Sequence, residues 1–181
     1  MFSTKDLVYM AMMTTLIIIL GFIPAIPLGF IPVPIVLQNM GIMLTALILG
    51  AKKGSISLVL FLILGIFLPV FSGKATTIPV FSGPTAGYVF AWIFVPVLFS
   101  LLYKTNKGKQ KALTFLFIWL TGVLFVDLVG AFWLSFYTGM SLKAALISNL
   151  AFIPGDTIKV VLATVIALRI PHAYIHKAFK K

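Results

Sequence analysis

Six apolar runs, at residues 7–22, 33–50, 55–71, 86–103, 112–137 and 144–170, constrain this chain more than any other feature. A helix needs about 20 apolar residues to cross a hydrocarbon layer about 30 Å thick, and backbone in lipid must satisfy its own hydrogen bonds. The runs lack the alternation of barrel strands. They predict an all-α integral membrane protein with six transmembrane helices. Composition agrees: of 181 residues, 61% are hydrophobic and 9% charged, against about 25% charged in soluble domains. The first run follows Lys5 as a signal peptide would, but no small-residue cleavage site ends it, so it is expected to be retained as a span. The length leaves room for a single transmembrane domain over 1–181 and no soluble second one.

The breaks carry turn residues and most of the charge. Pro24, Pro27, Pro32 and Pro34 follow the first run, Lys52, Lys53 and Gly54 the second, and Lys104, Lys107, Lys109 and Lys111 the fourth. Fourteen Lys+Arg against three Asp+Glu give a net charge of +11, which in a soluble protein would suggest nucleic acid. Here topology explains it, and no nucleic-acid partner is expected. With the amino terminus cytoplasmic, eleven basic residues fall on that side and only Lys74 and Lys143 on the other. The positive-inside rule then predicts two cytoplasmic termini in a multi-pass protein of the bacterial cell membrane, in contact with lipid. Tyr9, Tyr103 and Tyr174 fall at the cytoplasmic interface, and Tyr137 at the external one. The external loop 72–84 is a candidate lid.

Three ionisable residues lie well inside the expected spans: Asp127, Asp156 and Lys159. A charge at the bilayer centre costs about 2.5 to 3.5 kcal/mol on insertion scales, so each needs a partner or a cavity. Asp156 is thirteen residues from both Lys143 and Arg169, near mid-membrane in a continuous helix. Lys159, three residues on, shares its face. Pro154 and Gly155 just before them interrupt the span, and irregular backbone at this depth usually lines a cavity. Acid, base and break together point to a ligand site; the plainer alternative is an ion pair that serves packing alone. Burying both charges gains little net stability, which favours the ligand site. Asp127 either shares the cavity, as a proton relay for instance, or accepts hydrogen bonds from a neighbouring helix. Gln38, Asn39 and Asn149 suit interhelical hydrogen bonding as well as a pocket, and Trp133 and Tyr88 stand near external span ends where an apolar ligand or the aromatic belt would place them.

Several chemistries are excluded. With no cysteine, disulfides, thiolate metal sites and cysteine catalysis are ruled out. The stretch from Gly50 to Ser55 has the wrong spacing for a phosphate-binding loop, so the chain is not expected to hydrolyse ATP. His172 and His176 have a metal-ligand spacing but sit in a basic tail without cysteine or a nearby acid. No serine sits in a G-x-S-x-G elbow. Neither an enzyme nor a bound metal or cofactor is expected.

Two short motifs carry a family resemblance. The sequence from Gly83 to Tyr88 (GPTAGY) opens the fourth span, and that from Pro154 to Lys159 (PGDTIK) lies in the sixth. Together with Pro32, Val33 and Pro34, Gln38, the Gly50 to Gly54 turn and the stretch from Leu68 to Phe71, they resemble the BioY family. Its members are biotin-binding S components of energy-coupling factor (ECF-type) vitamin transporters. The resemblance implies an S-component fold, and a high-affinity biotin-binding subunit that takes the vitamin from outside and passes it inward. It also implies a transmembrane coupling subunit and two cytoplasmic ATPases as partners, with ATP consumed by those partners. By position, Asp156, Lys159, Tyr88 and Thr85 become ligand contacts, and Trp133, Tyr88 and Phe81 would cover the apolar rings. Gln38, Asn149 and Lys74 complete the expected ligand set. Ala11 and Thr15 stand where related S components carry A-x-x-x-A for docking on the coupling subunit. The alternatives are an S component for another vitamin, a small ion or proton channel using Asp127, Asp156 and Lys159, and a membrane scaffold using them as packing pairs.

Overall fold

The computed structural model describes residues 2–105 and 111–170. The features expected at Lys107, Lys109, His172, Tyr174, His176, Lys177, Lys180 and Lys181 lie outside the described residues. Among those described, the regular structure is helical, with two isolated bridges (Ile26 with Ile35, Phe71 with Ala75) in place of any strand.

Helix α1 (Thr4–Gly21) starts at a capping box in which the Ser3 hydroxyl accepts from the Asp6 N–H and the Asp6 carboxylate accepts from the Ser3 N–H. Each bond satisfies an amide that the first turn leaves unpaired. Helix α2 (Gln38–Phe67) begins later than the apolar run at 33, because Pro34 and the bridge at Ile35 hold the chain extended. Helix α2 takes in most of the second and third expected spans, falling short of them at both ends, and is divided where Gly50 adopts φ 67° and ψ −165°. That conformation is essentially reserved for glycine and breaks the helix direction between two apolar halves.

After a short turn at Ser72–Lys74, helix α3 (Thr77–Phe81) occupies the loop expected as a lid. Helices α4 (Ala86–Trp92) and α5 (Val95–Thr105) follow, bent by 42° relative to each other. Helix α6 (Lys111–Trp119) passes through a π-helical turn, Leu120–Leu124, into α7 (Phe125–Thr138). Helices α8 (Leu142–Asn149) and α9 (Phe152–Arg169) are bent by 48°. The break in the last span therefore falls at Leu150 and Ala151, a turn before Pro154 and Gly155, where the sequence placed it. Pro154 sits in the first turn of α9, whose amides lack helical partners in any case, so its missing N–H costs nothing there.

Three helices are long and apolar enough to cross a membrane among the described residues, α1, α2 and the α6–α7 unit; counting each bent pair as one crossing gives five. Helix α2 packs against α1, α5 and α9, and α7 against α4 and α8. Phe61, Phe99, Met43, Ile17 and Ile118 fill the core, while Phe22, Phe67, Phe132 and Phe136 point outward and are largely exposed. A surface with that much large apolar area on helices suits hydrocarbon as its solvent. Where α7 passes α4, Gly130 lets the ring of Tyr88 lie against the backbone; a Cβ there would stand 2.1 Å from the ring.

Candidate ligand-binding site

A cavity of about 110 Å³ lies where both connecting loops meet α4, α7 and α9. Residues 33–36 of the first loop form one wall, and Phe71 and Ser72 of the second form another. Tyr88, Trp92 and Phe152 supply aromatic walls, with the Tyr88 and Phe152 rings edge-to-face at 6.0 Å. Apolar walls with a few converging polar groups are the usual make-up of a small-molecule site.

Asp156 and Lys159 both line this cavity and are buried, at 5% and 6% exposure. One turn of α9 separates them, and the Lys159 ammonium donates to Asp156 Oδ1 at 2.7 Å. It donates a second bond, also 2.7 Å, to the carbonyl of Val36 in the first loop. An ammonium has three donors, so one N–H stays uncommitted beside the cavity. Trp119 of α6 donates from its indole to Thr157 Oγ1 at 2.9 Å, fixing the rotation of α9 beside Asp156.

The other expected residues divide by position. Thr85, Tyr88 and Gln38 line the cavity; Asn149, Trp133, Phe81 and Lys74 do not. Asn149 stands behind Tyr88: its Oδ1 accepts from the Tyr88 hydroxyl at 2.7 Å, and its Nδ2 donates to the Asp127 carbonyl at 2.7 Å. It thereby ties α8 to α4 and α7. The Trp133 indole donates to the Gly83 carbonyl at 2.9 Å and anchors the loop leading into α4. Phe81 is half-buried in α3, and Lys74 is exposed in the turn at Ser72–Lys74 with φ 60°.

Gln38 faces the cavity with its amide already engaged. Nε2 donates to the carbonyls of Ile17 (3.1 Å) and Val70 (2.9 Å), and Oε1 accepts from the Ser72 N–H (3.3 Å). One side chain thus joins α1, α2 and the second loop. Ala11 and Thr15 are exposed on the outer face of α1, in a shallow groove shared with Val8, Met12, Leu16 and Ile19.

The sequence reading does not single out Trp92, Phe152 or the Val36 carbonyl. Trp92 had a usable signal, since it lies four residues after Tyr88 and so on the same helical face. The Val36 carbonyl had none, because every residue carries one. Among the described residues no group of three or more metal-ligating side chains comes together.

Fold and cavity define the class: an all-helical membrane protein holding an acid–base pair and aromatic walls around a buried cavity. Comparison with known proteins places it more narrowly. A model described as the BioY family matches residues 1–176. The chain is 50% identical over 172 residues to the "Biotin transporter BioY" of Lactococcus lactis subsp. cremoris (strain MG1363), covering 93% of this chain and 91% of that one. It is 36% identical over 179 residues to the protein of the same description from Rhizobium etli (strain CFN 42), covering 95% and 96%. A crystal structure of the S-component for biotin from an ECF-type ABC transporter superposes with a TM-score of 0.90 at 46% identity, covering 97% of this chain and all of that one. The chain belongs to the BioY family.

Proposed function

We propose that this chain is the biotin-binding subunit of a bacterial ECF-type vitamin uptake transporter. The observation that carries the reading is the buried Asp156–Lys159 pair opening on an aromatic-walled cavity, in a chain half identical to a biotin transporter. Biotin joins an apolar bicycle to a ureido group, with two N–H donors and a carbonyl, and ends in a carboxylate. Lys159 offers its free N–H to an acceptor on the ligand while Asp156 and Val36 hold it in place. The bicycle packs against Tyr88, Trp92 and Phe152, and Thr85 adds a hydroxyl at the mouth of α4. Gln38, Asn149 and Trp133 support these walls through the bonds described above. Phe81 and Lys74 belong to the segment that closes over the ligand, with Lys74 reaching its carboxylate.

In this reading the whole chain is one transmembrane substrate-binding domain, and the two halves of α2 on either side of Gly50 bring the crossings to six. Both termini are cytoplasmic, in line with the basic residues, and the membrane is the bacterial cell membrane. The chain is a transporter subunit that needs no cofactor. It docks through the small-residue face at Ala11 and Thr15 on a transmembrane coupling subunit, and two cytoplasmic ATPases supply the energy.

Equilibrium binding of biotin to the purified protein in detergent tests the reading, with a second vitamin as control. Saturable binding of biotin alone is expected. Absence of saturable binding at micromolar biotin overturns it, and saturation by the control vitamin points to a different ligand. Proton flux through liposomes containing only this chain would favour the channel instead.

A further inference from the structure

Two buried acceptors in the cavity have no partner. Asn39 Oδ1, at the start of α2, and Asp127 Oδ2, in α7, make no hydrogen bond, and their residues are 7% and 8% exposed. Both residues line the cavity. A third unpartnered oxygen, Thr164 Oγ1, belongs to a residue outside the lining.

The donors placed around the cavity are engaged elsewhere. The Gln38 amide serves Ile17 and Val70, the Tyr88 hydroxyl serves Asn149, and the Lys159 ammonium serves Asp156 and Val36 with one N–H to spare. Buried polar groups are nearly always paired, so two orphaned acceptors on one cavity mark a place where something else brings the donors. A hydrogen bond to a carboxylate is among the stronger kinds, and stronger still away from water.

We propose that Asn39 and Asp127 are specificity-determining residues that receive the two N–H donors of a cyclic urea, while Lys159 addresses its carbonyl. The inference rests on the biotin reading and assigns a complementary polar partner to each side of the ureido group. It makes the cavity selective for a ligand with paired N–H donors over one of equal shape that lacks them.

The test pairs variants with ligands. Biotin and two analogues, each carrying a methyl on one ureido nitrogen, are titrated against native protein, Asn39→Leu, Asp127→Leu and the milder Asp127→Asn, after each variant is confirmed monodisperse in detergent. Each Leu variant is expected to bind biotin about ten- to a hundredfold more weakly, in line with the loss of one hydrogen bond to a polar or charged acceptor. In each, the penalty for methylating the matching nitrogen shrinks at least fivefold, because the bond is already gone. A purely structural role for either residue gives losses that multiply independently of the methyl group, and that result overturns the inference while leaving biotin binding intact. Should Asp127→Leu not fold, Asp127→Asn, which weakens the bond by removing the charge while keeping an acceptor, must shrink the penalty for methylating the matching nitrogen in the same direction, and an unchanged penalty overturns the inference. Native protein that fails to bind biotin overturns both the inference and the function on which it rests.

Discussion

Replacing Lys159 by Met strands the Asp156 carboxylate in a site built for a pair. The side chains of Lys159 and Asp156 are 8% and 7% exposed, and the bond between them is 2.7 Å. Removing one partner of a buried pair costs about 3 to 5 kcal/mol. The low end applies here, because one side of the pair faces a cavity that water can enter. The lost bond to the Val36 carbonyl adds about 0.6 kcal/mol, the average for interhelical hydrogen bonds in membranes. The single variant should therefore lose about 3 to 4 kcal/mol. The double variant Asp156→Leu with Lys159→Met removes both charges of the pair and should stay within about 1 kcal/mol of the native protein. Thermal unfolding in detergent reads the difference: at about 2 to 4 °C per kcal/mol for a chain of this size, the single variant melts about 10 °C lower and the double variant recovers most of that. Biotin supplies an independent readout. At a hundred times its dissociation constant it stabilises the native protein by about 2.7 kcal/mol, and it should shift neither variant. A double variant that falls as far as the single one, or a single variant that melts with the native protein, refutes the claim that the pair is electrostatically coupled and serves the ligand.

Two further substitutions probe how the walls are held. Gly130→Ala places a methyl 2.1 Å from the Tyr88 ring, an overpacking that costs about 1 to 3 kcal/mol and moves the Tyr88 hydroxyl off Asn149; both a lower melting temperature and weaker biotin binding are expected, and unchanged affinity would separate Tyr88 from the site. Gln38→Leu strands the carbonyl of Val70 and the amide of Ser72 and takes a second bond from the helical carbonyl of Ile17, at about 1 to 3 kcal/mol for each stranded group that finds no water. Faster amide exchange at Ser72 should accompany it, and native protection there would show that the second loop is held by other means.

The parts of the site that were legible share one property: the signal lay within a few residues of chain. Asp156 and Lys159 declare themselves by charge inside an apolar run and by a spacing of three, and the structure joins them by that spacing. What stayed hidden needed partners far apart in sequence. Lys159 meets a backbone carbonyl 123 residues away, Gln38 meets Val70 32 residues away, and Tyr88 meets Asn149 61 residues away. Nothing local in an amide side chain says whether it will end on a ligand or on a neighbouring helix. The helix break shows the same limit in reverse. Pro154 and Gly155 signal irregularity, but proline is tolerated without loss in a first helical turn, so the chain moves the break one turn upstream to Leu150 and Ala151. That shift has a consequence for the site. With the break upstream, Asp156 and Lys159 lie within α9 rather than at a frayed end, so their separation and common face are set by a regular helix. A charge pair held on a regular helix, with one loop carbonyl tied to its ammonium, gives the ligand a platform on α9 on one side and a loop-borne wall on the other. Weakening the tie at Val36 should therefore alter how fast biotin enters and leaves more than where it binds.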